Sequence, residues 1–198
     1  ILLNTSSFIS GLFPQPSTKP ISKIEDSFSS IDISSIPQAT NSARIIVSGS
    51  ILNLDTLVFY LNSKKVKEIE STTDIFNEEI GDLEKGENDV YIKAKSKDSK
   101  VEKNTITYKV YYKSEKPKLE ISEPSDSSIT NNQEIKIKGS TDKETYIHVN
   151  DLPVVVDANG NFETSIRLKE GDNQIVATAQ DIAGNIETKT LKVTYQKD

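Results

Sequence analysis

An internal repeat constrains the fold of this chain more than any other feature of its sequence. When residues 44–112 are placed over residues 134–196, glycines and asparagines recur in the same order: Gly49 as Gly139, Gly86 as Gly171 and Asn88 as Asn173. Changes in length between the copies fall only at predicted turns. Chance similarity between strands would not keep this order, so the chain consists of two copies of one folding unit.

The second copy shows the alternation of a β-sandwich most clearly. Inward-facing residues recur at every second position in short segments: Ile135 and Ile137; Phe162, Thr164 and Ile166; and Ile175, Ala177 and Ala179. Between them, Asn159-Gly160 supplies the positive φ of a hairpin turn. About seven such strands per copy predict an all-β chain. We therefore expect two tandem immunoglobulin-like β-sandwiches behind an N-terminal tail that is apolar and rich in Pro and Ser.

The composition divides the chain into three predicted parts: an apolar segment and linker at 1–37, a first module at 38–114 and a second module at 117–196. The junction Lys113–Lys118 is short and charged and contains one proline, so it should limit the angle between the modules without freezing it. In the linker, Ile24, Phe28 and Ile31 have helical spacing, whereas Ile31 and Ile33 have strand spacing. Part of the linker is therefore expected to dock on the first module.

The segment Ile1–Phe13 is apolar and carries no charge. It is too short to cross a bilayer alone, because a membrane helix takes about 20 apolar residues. Two interpretations stay open. The segment is either the outer end of a membrane helix or signal segment, or a strand or clip that packs on a partner. The sequence upstream of Ile1 would decide between a tethered and a secreted protein.

The charge of the chain argues against nucleic acid as a partner. The net charge is −6, and residues 117–198 hold 9 Lys and Arg against 14 Asp and Glu, whereas residues 38–116 are balanced at 13 of each. A nucleic-acid binder needs a basic stripe to displace counterions from phosphates. The chain has no cysteine, which excludes disulfides, thiolate nucleophiles and zinc–thiolate sites.

The second copy resembles a known family through its turns. It contains Val156-Asp157-Ala158-Asn159-Gly160-Asn161-Phe162 and Asp181-Ile182-Ala183-Gly184-Asn185, and residues 117–196 are similar to bacterial immunoglobulin-like modules of the glucodextranase domain-B-like type. The first copy is degenerate, because Ser96-Lys97-Asp98-Ser99-Lys100 replaces the second motif. The whole layout resembles two-module surface proteins of small-genome bacteria that are tethered to a membrane. That resemblance implies an extracellular accessory or adhesive role.

Nothing in the sequence assembles a catalytic site. His148 is the sole histidine and falls at a strand position, and the carboxylates lie in turns and on alternating faces rather than as a facing pair. The sequence therefore predicts a protein that is not an enzyme.

The sequence predicts no cofactor by default, and calcium is the one candidate that its residues suggest. Asp157, Asn159 and Asn161 offer oxygen ligands at alternate positions, as calcium loops do. A second candidate is Asp181 with Asn185, completed by Asp142 or Glu123 near the module junction. The competing interpretation is that these side chains cap hairpin turns through hydrogen bonds to the backbone.

A ligand surface is predicted at Tyr111 and Tyr112, because adjacent strand residues face opposite ways and one of the two rings must be exposed. The lysines of 93–103 are predicted to be a solvated strand face and hairpin, with contact to anionic cell-wall polymer as the alternative.

The leading function is a non-catalytic extracellular module pair, tethered to a bacterial membrane, that spaces, adheres or assembles a surface structure. One alternative is a cell-wall carbohydrate-binding accessory domain. The other is a filament subunit that donates residues 1–13 as a strand to a neighbour.

Overall fold

The computed structural model describes residues 28–197, and this part of the chain forms seventeen β-strands in four sheets. The strands divide into two sandwiches of two sheets each. The prediction of an all-β chain with two tandem immunoglobulin-like sandwiches is confirmed. Residues 1–27 lie outside the described part, so both interpretations of the segment 1–13, including the donated strand, stay predictions.

The first sandwich contains nine strands: β1 (Ser30–Ser35), β2 (Ala39–Thr40), β3 (Ile45–Leu52), β4 (Thr56–Leu61), β5 (Lys64–Glu70), β6 (Ile75–Ile80), β7 (Gly86–Lys95), β8 (Glu102–Asn104) and β9 (Tyr108–Tyr112). One sheet has the order β1-β3-β6, and the other has the order β2-β9-β7-β4-β5 with β8 also paired to β7. The short β2 pairs with β9 in parallel, whereas the other pairings are antiparallel.

The second sandwich repeats this arrangement with eight strands: β10 (Leu119–Glu123), β11 (Ser128–Thr130), β12 (Glu134–Thr141), β13 (Thr145–Val149), β14 (Leu152–Val154), β15 (Asn161–Arg167), β16 (Gly171–Asp181) and β17 (Ile186–Tyr195). Its sheets have the orders β10-β12-β15 and β11-β17-β16-β13-β14. Here too the early short strand, β11, pairs in parallel with the last one, β17. His148 lies on β13, as predicted from its sequence position.

Each sandwich has its own core, built from the alternation read in the sequence. Along β3, buried residues alternate with exposed or half-buried ones, so Ile45, Val47 and Ile51 face inward. They meet Phe59 and Phe76, whose rings contact edge to face with centroids 6.1 Å apart. Since only every second residue faces inward, two cores form from a chain that is 34% hydrophobic.

The first module begins earlier than position 38, where the sequence placed its boundary. Strand β1 falls within the predicted linker and pairs with β3 in antiparallel register, Ile31 opposite Ile51 and Ile33 opposite Gly49. Ile31 and Ile33 pack against the core of the first module. The strand spacing of these isoleucines therefore outweighs the surrounding Pro and Ser, and the expected docking of part of the linker is seen at residues 30–35.

The repeat persists at the level of hydrogen bonds. In the first module, the side chain of Asn88 donates to the carbonyl oxygens of Glu84 and Gly86, at 2.7 and 3.0 Å, and accepts from the amide of Glu84 at 2.9 Å. Asn173 makes the matching bonds to Lys169 and Gly171 in the second module. Asn88 and Asn173, which correspond in the repeat, thus close corresponding turns with the same hydrogen bonds.

The copies differ in the register of one strand pair. Phe59 lies opposite Ile92 in the first module, whereas Ile147, its counterpart in the repeat, lies opposite Ala179 in the second. Because Ala179 corresponds to Ala94, the second pairing is displaced by two residues. A displacement of two keeps every side chain on its original face, so both cores survive the change.

Candidate functional site

The turn at residues 181–185 connects β16 to β17 and lies at the junction between the modules. One carboxylate oxygen of Asp181, Oδ1, accepts hydrogen bonds from the amides of Ala183 and Asn185, at 3.0 and 2.9 Å. The Gly184 amide donates to the Asp181 carbonyl at 3.0 Å, and Gly184 adopts a φ of 87°. Asp181 is only 5% exposed, so its carboxylate is an internal part of the turn.

The same turn binds the end of the first module. The Asp181 Oδ2 oxygen lies 3.2 Å from the Lys113 ammonium, and the Asn185 side-chain amide donates to the Lys113 carbonyl at 2.7 Å. Burial alone would raise the pKa of Asp181, but hydrogen bonds from Asn185 and Lys113 outweigh burial and leave the pKa lowered. A charged, hydrogen-bonded contact therefore joins the modules, with little exposure to water.

The linker between the modules is anchored from both sides. Glu115 forms an ion pair with Lys85 of the first module, and Lys116 forms one with Glu187 of the second at 3.1 Å. Pro117 is buried. The next residue is anchored twice. The Lys118 amide donates to Asp142 Oδ2 at 3.0 Å, and the Lys118 carbonyl accepts from the Thr141 hydroxyl at 2.7 Å.

The corresponding turn of the first module has different bonds. Ser96 takes the place of Asp181, and its hydroxyl oxygen accepts from the Val101 amide at 3.1 Å. Ser99 has a φ of 56°, so it adopts the left-handed conformation that Gly184 has in the second module. The Lys97 amide donates to Asp55 of the same module at 2.8 Å. This divergence was visible in the sequence, and the structure associates the intact motif with the intermodule contact.

The first predicted calcium loop is also a turn closed by its aspartate. Asp157 Oδ1 accepts from the amides of Asn159 and Asn161, both at 2.8 Å, and Asp157 Oδ2 accepts from the Asn161 side chain at 3.3 Å. The backbone amide of Asn161 makes the largest contribution to a lowered Asp157 pKa. Hydrogen-bond donors thus face the oxygens that a calcium ion would need.

The residues predicted to complete a second calcium site have other partners. Asp142 accepts from the linker amide of Lys118, and Glu123 forms an ion pair with Lys138 at 2.9 Å. Among residues 28–197, no group of three or more His, Cys, Asp or Glu side chains could hold a metal ion. The hydrogen bonds described above are those of the capping interpretation, and calcium binding itself stays a prediction.

Tyr111 and Tyr112 face opposite sides of their sheet, as the sequence requires. Tyr112 packs against the core of the first module, whereas Tyr111 is 43% exposed and lines a groove of about 560 Å³ with Pro37 and Lys109. The carboxylates of Asp89 and Glu87 hydrogen-bond to the Lys109 ammonium and raise its pKa. The surface around Tyr111 is therefore strongly charged, and a ligand here stays a prediction.

The lysine run of the first module is largely matched by acids. Lys93 and Lys95 both approach Glu102, at 3.6 and 3.7 Å, and Lys100 pairs with Asp98 at 2.8 Å. This pairing suits the predicted solvated strand face and leaves less free positive charge for an anionic polymer. Sequence reasoning did not single out Tyr60 and Tyr91, which stack on this face with centroids 4.7 Å apart. Their positions at alternating outward sites could have identified them.

Comparisons with known proteins agree with this architecture. Residues 117–197 match the family model described as glucodextranase, domain B. The chain is 31% identical over 162 residues to bacillopeptidase F of Bacillus subtilis (strain 168), an alignment that covers 80% of this chain and 11% of that protein. The fibronectin(III)-like modules of Clostridium thermocellum CbhA are similar in structure, with a TM-score of 0.60 and 15% identity over 85% of this chain and 95% of theirs.

These comparisons confirm the resemblance to bacterial immunoglobulin-like modules. The match to bacillopeptidase F takes in more residues than either module holds, so it extends across both, while this chain spans only about a tenth of the length of that relative. Within the described part of the chain, no helix combines the length and apolarity needed to cross a membrane.

Proposed function

We propose that this chain is a non-catalytic spacer of an extracellular bacterial protein, in which two immunoglobulin-like modules are held at a defined angle. The observation that carries the proposal is the contact with Lys113, which forms an ion pair with Asp181 and accepts a hydrogen bond from Asn185. A spacer that presents a neighbouring domain or a surface at a set distance needs a stiff joint. Adhesion and the assembly of a surface structure are uses that such a pair would serve.

The joint differs from an ordinary short linker. Modules joined by a few polar residues move relative to one another by default, because little surface is shared between them. Here Lys113 and Lys116 bind the second module, Glu115 binds the first, and Pro117 is buried. Reorienting the modules would therefore break several contacts at once, including an ion pair whose Asp181 partner is almost fully buried.

The match to bacillopeptidase F supports an accessory role. It extends over both modules and covers only a small fraction of a much longer protein. A pair that recurs inside a larger chain suits a spacing or presenting role. The activity of that protein is a property of the whole molecule and is not transferred to this pair.

Distance measurements between spin labels test the spacer directly. The chain has no cysteine, so Lys64→Cys and Glu170→Cys, both at exposed positions, place one label in each module. We expect a narrow distance distribution in the otherwise unchanged chain and a broad one after Asp181→Ala or Asn185→Ala. Asn159→Ala, in a similar turn within the second module, serves as the control. A distribution that is already broad before any junction residue is changed would refute the proposal.

A further inference from the structure

The outer face of the five-stranded sheet in the second module carries an aromatic and polar cluster at β13. Strand β13 alternates, so Ile147 is buried while Tyr146 and His148 project outward. Across the sheet, Gln180 lies opposite Tyr146, and Pro153 lies opposite His148 on the edge strand β14. These outward residues are brought together by strand pairing alone.

The cluster lines an open groove. Its volume is about 540 Å³, within the range of about 300–1,000 Å³ that is usual for small-ligand sites. Tyr146 is 62% exposed and Val155 is 87% exposed, so the lining includes an aromatic ring and an apolar side chain that are both open to solvent. Its lining contains no Asp, Glu, Lys or Arg.

Three polar side chains that line the groove have no partner in the described part of the chain. Across residues 28–197, no hydrogen bond or ion pair engages the side chain of Tyr146, His148 or Gln180. These three groups offer a phenolic hydroxyl, an imidazole and a carboxamide, which together can donate and accept hydrogen bonds.

The corresponding face of the first module is closed by its own side chains. Val58 occupies the place of Tyr146 and is only 4% exposed. Lys93 and Lys95 share Glu102 beside it, and Tyr60 stacks on Tyr91. In the first module, the outward side chains of this face therefore contact one another. In the second module, Tyr146, His148 and Gln180 have no such partners among the described residues.

We infer that this groove binds a neutral carbohydrate, with the Tyr146 ring as the stacking surface. A tyrosine ring gives an apolar face to the C–H groups of a sugar and keeps a polar edge in water. Gln180 and His148 hydrogen-bond the hydroxyl groups, and Pro153 and Val155 contact the edge of the sugar ring. The uncharged lining matches an uncharged ligand, since no Lys or Arg is present to pair with an acidic one.

The edge strand argues against a peptide in this position. Peptides add to a sheet through backbone hydrogen bonds to an exposed edge. Strand β14 comprises only Leu152–Val154, and its central residue, Pro153, has no amide hydrogen to donate. A sugar that stacks on the sheet face does not need that edge. This inference is independent of the spacer proposal, because it concerns one module alone.

Affinity electrophoresis in native gels tests the groove on the whole chain. The gels contain mixed-linkage β-glucan, xylan or dextran as neutral probes, and polygalacturonate as an acidic one. We expect at least one neutral polysaccharide to retard the chain, and Tyr146→Ala to weaken this retardation by about tenfold or more, as loss of a central aromatic contact does. Phe28→Ala, which removes an aromatic ring of the first module that is exposed to a similar extent, serves as the matched control and should migrate like the unchanged chain.

Three results would overturn the inference: no retardation by any neutral probe, retardation by polygalacturonate alone, or retardation that survives Tyr146→Ala. Circular dichroism and thermal melting establish that the variant is folded, which we expect because Tyr146 is largely exposed. Gln180→Ala gives a second, independent variant, and retention of full binding in this variant would also count against the groove. The spin-label distances do not depend on any of these results, so the two proposals can fail separately.

Discussion

Phe162 lies directly opposite Gly139 on the neighbouring strand, and its ring occupies the space above that glycine. A Cβ atom added to Gly139 would lie 2.5 Å from Cζ of the ring and would also collide with the carbonyl oxygen of Glu120 on the other side. Gly49 and Phe76 repeat the relationship in the first module, where the distance would be 2.6 Å. The glycine is thus required by close packing between three strands.

Replacing this glycine should destabilise the module that contains it. We expect Gly139→Ala to lower the free energy of unfolding by about 1–3 kcal/mol, the usual effect of an overpacked core. Urea denaturation followed by circular dichroism measures the loss. Ser165→Ala, at an exposed position of the partner strand β15, is the control and should change the stability little. Equal stability of the two variants would contradict the close packing described here.

The turn asparagines should be among the most sensitive polar residues. Asn88 is fully buried, so Asn88→Ala leaves the Glu84 amide and several carbonyl groups without partners. We expect a loss of about 2–3 kcal/mol in the free energy of unfolding, as for other buried groups left unsatisfied. Gln174→Ala, at an exposed position next to the matching Asn173, should have almost no effect. Thermal melting of both variants provides the comparison.

The junction contact should depend on pH through Asp181. Its pKa is lowered in the folded chain, so the contact stabilises the chain fully above the unfolded value of about 3.9 and is lost as the pH falls through the folded pKa. Asp181→Asn should therefore lower the melting temperature by several degrees at pH 7, and the difference should shrink below about pH 4. Asp151→Asn, in an exposed hairpin, should melt like the unchanged chain at pH 7. A constant difference across this range would argue against the ion pair with Lys113.

Chelation of calcium should leave the chain unchanged. The carboxylates of Asp157 and Asp181 already accept amide hydrogens, and the Lys113 ammonium lies beside the latter. We therefore expect the same melting temperature with added calcium and with chelator. A rise with calcium would show that the ion binds. Loss of that rise in Asp157→Asn or in Asp181→Asn would then identify which turn binds the calcium ion.

The fold could be read from the sequence because strand alternation and turn residues are local signals. The alternation of Ile135 and Ile137 indicates which face of the strand is buried, and it does so without information from distant residues. The order of the glycines identifies the repeat. The start of the first module was missed because Ile31 and Ile33 stand among serines and prolines, and the strand is stabilised only by its pairing with β3. Boundaries of this kind depend on a partner strand that the local sequence does not specify.

The site was harder to predict for the same reason. Tyr111 was singled out because it adjoins Tyr112. Lys109 lies two residues earlier on the same strand, and pairing with β7 brings the acidic partners of Lys109 beside both residues. Tyr146 was not distinguished from the other tyrosines of the sequence, because Gln180 and Pro153 are distant from it in sequence and are brought near it only through strand pairing. Likewise, nothing local to Lys113 indicates that a turn about seventy residues later will hold it.

The parallel pairs β2–β9 and β11–β17 give both modules a particular response to mechanical load. Tension along the chain pulls the early strand of each pair towards the N-terminus and the last strand towards the C-terminus. Parallel partners then slide along one another, so the bonds from Tyr111 to Gln38 and from Gln196 to Thr130 are strained together rather than opened in turn. A protein stretched between a cell and its surroundings would resist extension at these two parallel pairs, well before either core is exposed.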